Sequence, residues 1–227
     1  MRTQPRTSAL GKDLLERLTP ALQGGNLANA LATVRESWTV PQLIALLTHE
    51  QPDIRKVAAL ALGLMGDQSS ITALAVALHD GDPMVTQMAE HALWSIWFRS
   101  GRCRAVTLLK QGCCHLNHEN YDSAIEKFSQ AIAIDSAFAE AWHQRSIANY
   151  LAERYPESIA DARSTLDRLP QHFGAMAGMG HCHAHLRQWP EARHCYRLAL
   201  AIHPRIEGIQ AALEQVEAIL RDFPECH

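Results

Sequence analysis

The sequence predicts an all-α protein built as a right-handed α-solenoid of stacked helix pairs. Three observations carry that prediction. Hydrophobic residues make up 47% of the 227 residues and aromatic ones only 6%. Ala, Leu, Glu, Gln and Arg dominate over β-branched types, a balance that favours helix over strand. The stretches YDSAIEKFSQAI (121–132), YPESIADARSTL (155–166) and WPEARHCYRLAL (189–200) recur every 34 residues without a gap. In the other half, PDIRKVAALALGLMGD (52–67) and PMVTQMAEHALWSIWF (83–98) align at an interval of 31 residues. Fixed periods of this length mark helical repeats, in which each unit buries its apolar face only against its neighbours.

Taken in order, residues 1–19 read as a partly disordered lead, with 1–8 wholly so. Residues 20–100 hold the shorter repeats. Ile54 aligns with Val85, Val57 with Met88, Ala58 with Ala89, Ala61 with Ala92 and Leu62 with Leu93. The preceding helices, VPQLIALLTHE (40–50) and SSITALAVALHD (69–80), pair Leu43 with Leu74 and Leu47 with Leu78. Short helix pairs of this kind, with Pro-Asp or Asp-Pro opening the second helix, look like the HEAT-like repeats of phycobilisome lyases and many bacterial scaffolds. A third, degenerate unit before residue 40 stays open: LANALATVRES has the right texture, but Gly24 and Gly25 break its front.

Residues 101–205 divide into three 34-residue units, 105–138, 139–172 and 173–205. Small residues recur at helix-crossing points: Gly112, Ser146 and Gly180; Ala124, Ser158 and Ala192; Ala131, Thr165 and Ala199. Helices approaching within about 8–10 Å require small side chains at such points. An aromatic residue closes each interhelical turn (Tyr121, Tyr155, Trp189), and Pro156 and Pro190 suit the first position of the next helix. This pattern resembles the tetratricopeptide repeat (TPR). The middle unit is the loosest match, with Ala162 where the others have Phe128 and Tyr196. Residues 206–227 form a capping helix and tail, and the final Glu225, Cys226 and His227 are assigned no role. Trp94, Trp97 and Phe98 are expected to pack on the first TPR helix, joining both repeat types into one solenoid.

Composition excludes several function classes. Residues 1–100 carry eight Lys/Arg against nine Asp/Glu, and 101–227 carry thirteen against fifteen. No basic stripe exists to hold nucleic acid. No run of about 18 apolar residues occurs, so no membrane span is expected and the location reads as cytoplasmic. In a reducing compartment the six cysteines are expected as thiols or metal ligands rather than disulfides. No carboxylate pair, Gly-rich phosphate loop or cysteine–histidine pair stands free of the repeat pattern, so no catalytic residue and no cofactor are assigned. The HEAT-like likeness also brings to mind the deoxyhypusine hydroxylase family, whose His-Glu dipeptides bind two irons. The comparable stretches here, RKVAALALG and TQMAEHALW, lack them.

The TPR likeness implies a concave groove that binds another protein. It places there Leu109, Cys113, Leu116 and Asn117 from the first repeat, His143, Ile147, Tyr150 and Leu151 from the second, and His181 and His185 from the third. A helical or extended apolar segment of a protein partner is the expected occupant. Related domains that clamp the carboxylates of chaperone tails use Lys, Asn and Arg. The matching positions here are Leu109, Cys113, Gln144, Gly174 and Gly178, which supply no positive charge. The expected function is therefore a non-catalytic interaction scaffold. An accessory subunit resembling a bilin lyase factor and a self-associating structural protein, including a homodimer, are the alternatives.

The stretch GHCHAHLRQ raises the question of a metal. His181 and His185, four residues apart, share a helical face. His183 and Cys182 leave that face, and His143 on the adjacent repeat is the one further candidate ligand. Two or three histidines without a carboxylate or thiolate make a weak shell, so no metal is assigned. A groove lip whose binding changes between about pH 6 and 7 is expected instead, with both rings near their ordinary titration range.

Overall fold

A computed structural model describes residues 4–23 and 27–222, and the side chains of 8–20 and 28–222. Among the described residues there are thirteen α-helices, one 3-10 turn at Gln68–Ser70 and no strand. The fold is an all-α solenoid of repeats. The chain divides into two compact units, Met1–Ile96 and Trp97–His227.

The first unit contains α1 (Gln4–Gln23), α2 (Leu27–Ser37), α3 (Val40–Leu46), α4 (Pro52–Met65), α5 (Ile71–Ala77) and α6 (Pro83–Arg99) up to Ile96. Residues 4–23, within and beyond the expected lead, are helix. Leu14 and Leu18, one turn apart, are fully buried, and Gly11 lies so close to Ile54 that a Cβ would stand 2.8 Å from its Cδ1. Apolar packing on α4 thus supplies the order that the leading polar residues do not. Residues 1–3 and the Gly24–Gly25 break lie outside the described residues. The aligned pairs share one environment: Leu43 and Leu74, Ile54 and Val85, Ala58 and Ala89, and Leu62 and Leu93 are all at most 1% exposed. Helix starts are set locally. Gln42 Oε1 accepts from the Thr39 backbone N–H at 2.8 Å, and Asp82 Oδ1 accepts from the Met84 N–H at 2.8 Å. Arg55 ties α4 to the turn before α6 through a two-pronged pair with Asp80, at 2.7 and 2.8 Å.

The second unit stacks α7 (Cys103–Asn117), α8 (Tyr121–Ile134), α9 (Ala139–Leu151), α10 (Tyr155–Arg168), α11 (Phe173–His185), α12 (Trp189–Ile202) and α13 (Ile209–Asp222). Each first helix ends in the same two-bond cap. Asn120, Arg154 and Gln188 donate backbone N–H to the carbonyls of His115, Asn149 and His183, while Glu119, Glu153 and Arg187 donate to Leu116, Tyr150 and Ala184. These last three donors stand at φ 60°, 60° and 57°, the left-handed conformation that such a cap demands. At the helix crossings a Cβ on Gly112 would overlap the Phe128 ring, and one on Gly180 would stand 2.6 Å from Tyr196 Cδ1. In α13, Ile209, Leu213, Val216 and Leu220 form one apolar face, which packs with Tyr196 and Ala199 and closes the stack.

The aromatic residues before α7 divide. Phe98 packs on the cluster containing Ala105 and Leu109, as expected. Trp97 instead stacks on His172 at 4.2 Å and meets Phe173 at 5.3 Å, at the start of α11. Its flat ring finds flat partners there. Trp94 belongs to the first unit.

Candidate partner-binding groove

The second unit encloses a cavity of about 270 Å³ between α9, α10 and α11. Helix α9 contributes His143, Ser146, Ile147 and Tyr150, α10 contributes Ser158, and α11 contributes Gly174, Ala177, Gly178 and His181. The 3.6-residue period places these one or two turns apart on facing helices. Their polar atoms are largely engaged inside the wall. Ser146 donates to the Ser158 carbonyl at 3.0 Å, and Ser158 returns a bond to the Ser146 carbonyl at 2.8 Å. Tyr150 Oη lies 2.9 Å from His185 Nε2, and Tyr196 Oη lies 2.8 Å from His181 Nδ1. The surface left for an occupant is apolar.

Four of the ten expected groove residues line this cavity: His143, Ile147, Tyr150 and His181. The others are placed differently. Leu109 is fully buried in the core with Phe128 and is withdrawn from any partner, because the small neighbours Ala105 and Ala141 let it sink inward. Cys113 is half-buried, its thiol 3.9 Å from Gln144 Oε1 and pushed up to about 11 by burial first and then by Glu140. Leu116 is half-buried against the same core, and Asn117 is exposed. Leu151 is 43% exposed on the lip. His185 stacks on Tyr155 at 4.8 Å while touching Tyr150. His181 and His185 do share a face, since both contact the Tyr150 ring, at 6.4 and 5.4 Å. His183 turns inward to Gln188 Oε1 at 2.6 Å, and Cys182 is buried with its thiol 3.1 Å from Ser158 Oγ. The expected titration between pH 6 and 7 is corrected for His181: burial, with His185 adding to it, lowers its value below that of a free histidine.

His143 is only 4% exposed, because it belongs to a buried cluster with Glu140 and His172. Their ligating atoms all lie within 4.8 Å of one another. His172 caps α11, its Nδ1 accepting the Ala175 backbone N–H at 3.1 Å. The ring proton must then sit on Nε2, which faces Glu140 Oε2 at 3.1 Å, while Gln144 donates to the other carboxyl oxygen at 2.8 Å. A metal at His172 Nε2 would find that lone pair protonated and the other one occupied. His172 therefore does not fit as a ligand: Gln144, Glu140 and His172 are joined by hydrogen bonds, and the His143 ring lies 4.2 Å from that of His172. Burial pushes the Glu140 carboxyl up to about 7, and it pushes His143 and His172 down to about 3. Sequence reading missed His172 because it lies outside the repeat's groove positions. Its place one residue before a helix start was the available signal.

The positions corresponding to a chaperone-tail clamp carry no positive charge. Leu109 is buried, Gln144 is held by Glu140, and Gly174 and Gly178 have no side chain.

Comparisons with known proteins agree with both halves of the sequence. The family description "HEAT repeats" matches residues 11–94. A TPR repeat-containing protein of Rhizobium etli is 29% identical over 83 residues, which are 37% of this chain and 41% of that protein. The Hsp70-Hsp90 organizing protein of Triticum aestivum is 31% identical over 93 residues, 41% of this chain and 16% of the relative. The chain thus spans less than half the length of either. Among solved structures, the Sgt2 TPR domain from Aspergillus fumigatus matches with a TM-score of 0.53 at 16% identity, covering 55% of this chain and 84% of that domain. The first TPR of Spaghetti (RPAP3), bound to the HSP90 peptide SRMEEVD, matches with a TM-score of 0.51 at 18% identity, covering 52% and 94%. At these identities the likeness to solved structures is one of fold.

Proposed function

We propose that this chain, with tetratricopeptide-like repeats following HEAT-like ones, is a non-catalytic scaffold whose second unit holds an apolar segment of a partner protein. One observation carries this reading: the cavity between α9 and α11 is walled by apolar surface at four positions of the expected groove. Burying apolar side chains there would drive binding, since each square ångström removed from water contributes about 25 cal/mol. Leu151 on the lip and the Tyr150–His185 pair would frame the entry.

The first TPR of Spaghetti (RPAP3) is bound to the HSP90 peptide SRMEEVD, but the uncharged clamp positions oppose that use here. The peptide SRMEEVD should therefore show no saturable binding to the full chain. Affinity capture from native cells, comparing the wild-type chain with Leu151→Asp, tests the groove. The substitution should abolish capture of the specific partner while leaving the circular dichroism unchanged. Equal capture by both proteins would reject the groove as the binding surface, and tight SRMEEVD binding would replace the apolar partner with an acidic tail.

A further inference from the structure

Two glycines in the middle of α11 stand in contrasting surroundings. Glycine is a poor helix former, so each needs a reason to be there. Gly180 has one, since a Cβ would stand 2.6 Å from the Tyr196 ring. Gly178 has no packing reason: a Cβ built on it meets nothing within 4 Å. Where a side chain could project, Gly178 borders the cavity of about 270 Å³.

The wall also restricts what can enter. Ile147 and Ala177 are aliphatic, and the Ser146 and Ser158 hydroxyls bond across the wall to each other's helix. A carboxylate entering the cavity would find no lysine or arginine on its wall. A lysine would find no open carboxylate, because both oxygens of the neighbouring Glu140 are taken by Gln144 and His172. An ion left unpaired in such a site is strongly disfavoured.

We propose that Gly178 is a specificity-determining residue, keeping open a pocket that receives one uncharged branched-aliphatic or aromatic side chain of the partner segment. This rests on the groove reading above and adds which side chain the partner must present. Larger residues at 178 would occupy the pocket from within, and they would do so without straining the helix.

The full chain, labelled with ¹⁵N, is titrated separately with the N-acetyl amides of leucine, phenylalanine, lysine and aspartate. The leucine and phenylalanine amides should shift backbone signals of α9 and α11 saturably, and the lysine and aspartate amides should not. Gly178→Leu should weaken the apolar response at least about tenfold, as ordinary hydrophobic exclusion predicts, with unchanged circular dichroism and no loss of Tm. Gly178→Ala, smaller and helix-favouring, should weaken it less. The proposal is overturned by the absence of a saturable apolar response, by an equal response to the charged amides, or by Gly178→Leu binding as wild type does. The groove reading fails separately. Capture insensitive to Leu151→Asp, with the apolar amides still bound, removes the groove alone. Capture sensitive to Leu151→Asp but untouched by Gly178→Leu removes the pocket alone.

Discussion

Single side chains at the helix crossings explain both the strength of the repeat pattern and its weakest unit. Gly112 faces Phe128 and Gly180 faces Tyr196, with no room for a methyl group between. In the middle unit both partners change together: Ser146 replaces glycine and Ala162 replaces the aromatic ring. Serine returns only part of the volume of the lost ring, and its hydroxyl bonds the Ser158 carbonyl at 3.0 Å, beside the cavity that both serines line. Gly180→Ala should accordingly destabilise the chain by about 1–3 kcal/mol through overpacking. Gly178→Ala, two residues away in open space, should stabilise it by up to about 1 kcal/mol through helix propensity. Urea unfolding of the two variants beside wild type measures both, and equal shifts in the same direction would contradict the contrast. Small residues at crossings were legible in the sequence because steric need fixes their type. The burial of Leu109 and His143 was not, because periodicity assigns a face but not the depth at which a side chain sits on it.

Helix ends show a conflict that the sequence alone conceals. Glu119, Glu153 and Arg187 all adopt positive φ at the residue that closes α7, α9 and α11, and all three engage in the double backbone bond of a left-handed cap. Glycine is the usual residue for that conformation, and other L-residues there carry a cost of about 1–2 kcal/mol. No glycine marked these turns, so their position was readable only from the aromatic residue that follows and from Pro156 and Pro190. Replacing Glu153 with glycine should relieve the strain. After the greater backbone entropy of glycine in the unfolded chain is subtracted, a gain of about 0.5–1 kcal/mol remains, equivalent to a Tm rise of roughly 1–4 °C. Calorimetry of Glu153→Gly reads this directly, and a lowered Tm would show that the Glu153 side chain contributes more than its backbone costs. In helix α1 the spacing of Leu14 and Leu18, both fully buried, supplies an apolar stripe that the sequence already carried.

At the scale of the whole molecule, the periods of 34 and 31 residues made the all-α class and the helix pairs legible, since each repeat must bury its face on a neighbour. Nothing in either period announced the buried cluster of Glu140, His143 and His172, which joins the two ends of the second repeat and contributes to how stability responds to acid. Free histidines titrate near 6.5, whereas burial holds His143 and His172 near 3. Between these values the unfolded chain binds protons that the folded chain refuses, so stability from this source is complete above pH 6.5 and is lost as pH falls towards 3. Glu140 acts in the opposite sense. Its value rises from 4.5 to about 7 on folding, so the folded chain holds the extra proton and gains stability as pH falls from about 7 to 4.5. Two histidines outweigh one carboxyl. From about pH 6 to 4.5 the unfolded state binds roughly one proton more, and below 4.5 about two, at about 1.4 kcal/mol per proton per pH unit. The urea midpoint should therefore fall below pH 6 and drop more steeply below pH 4.5. His143→Phe removes one of the two refused protons while keeping a ring against His172. In that variant Glu140 and His172 nearly cancel, and the midpoint should stay level until about pH 4.5. A wild-type midpoint that is flat across this range would show that the cluster is not held in these protonation states, and an unchanged slope in His143→Phe would place the acid sensitivity elsewhere in the chain.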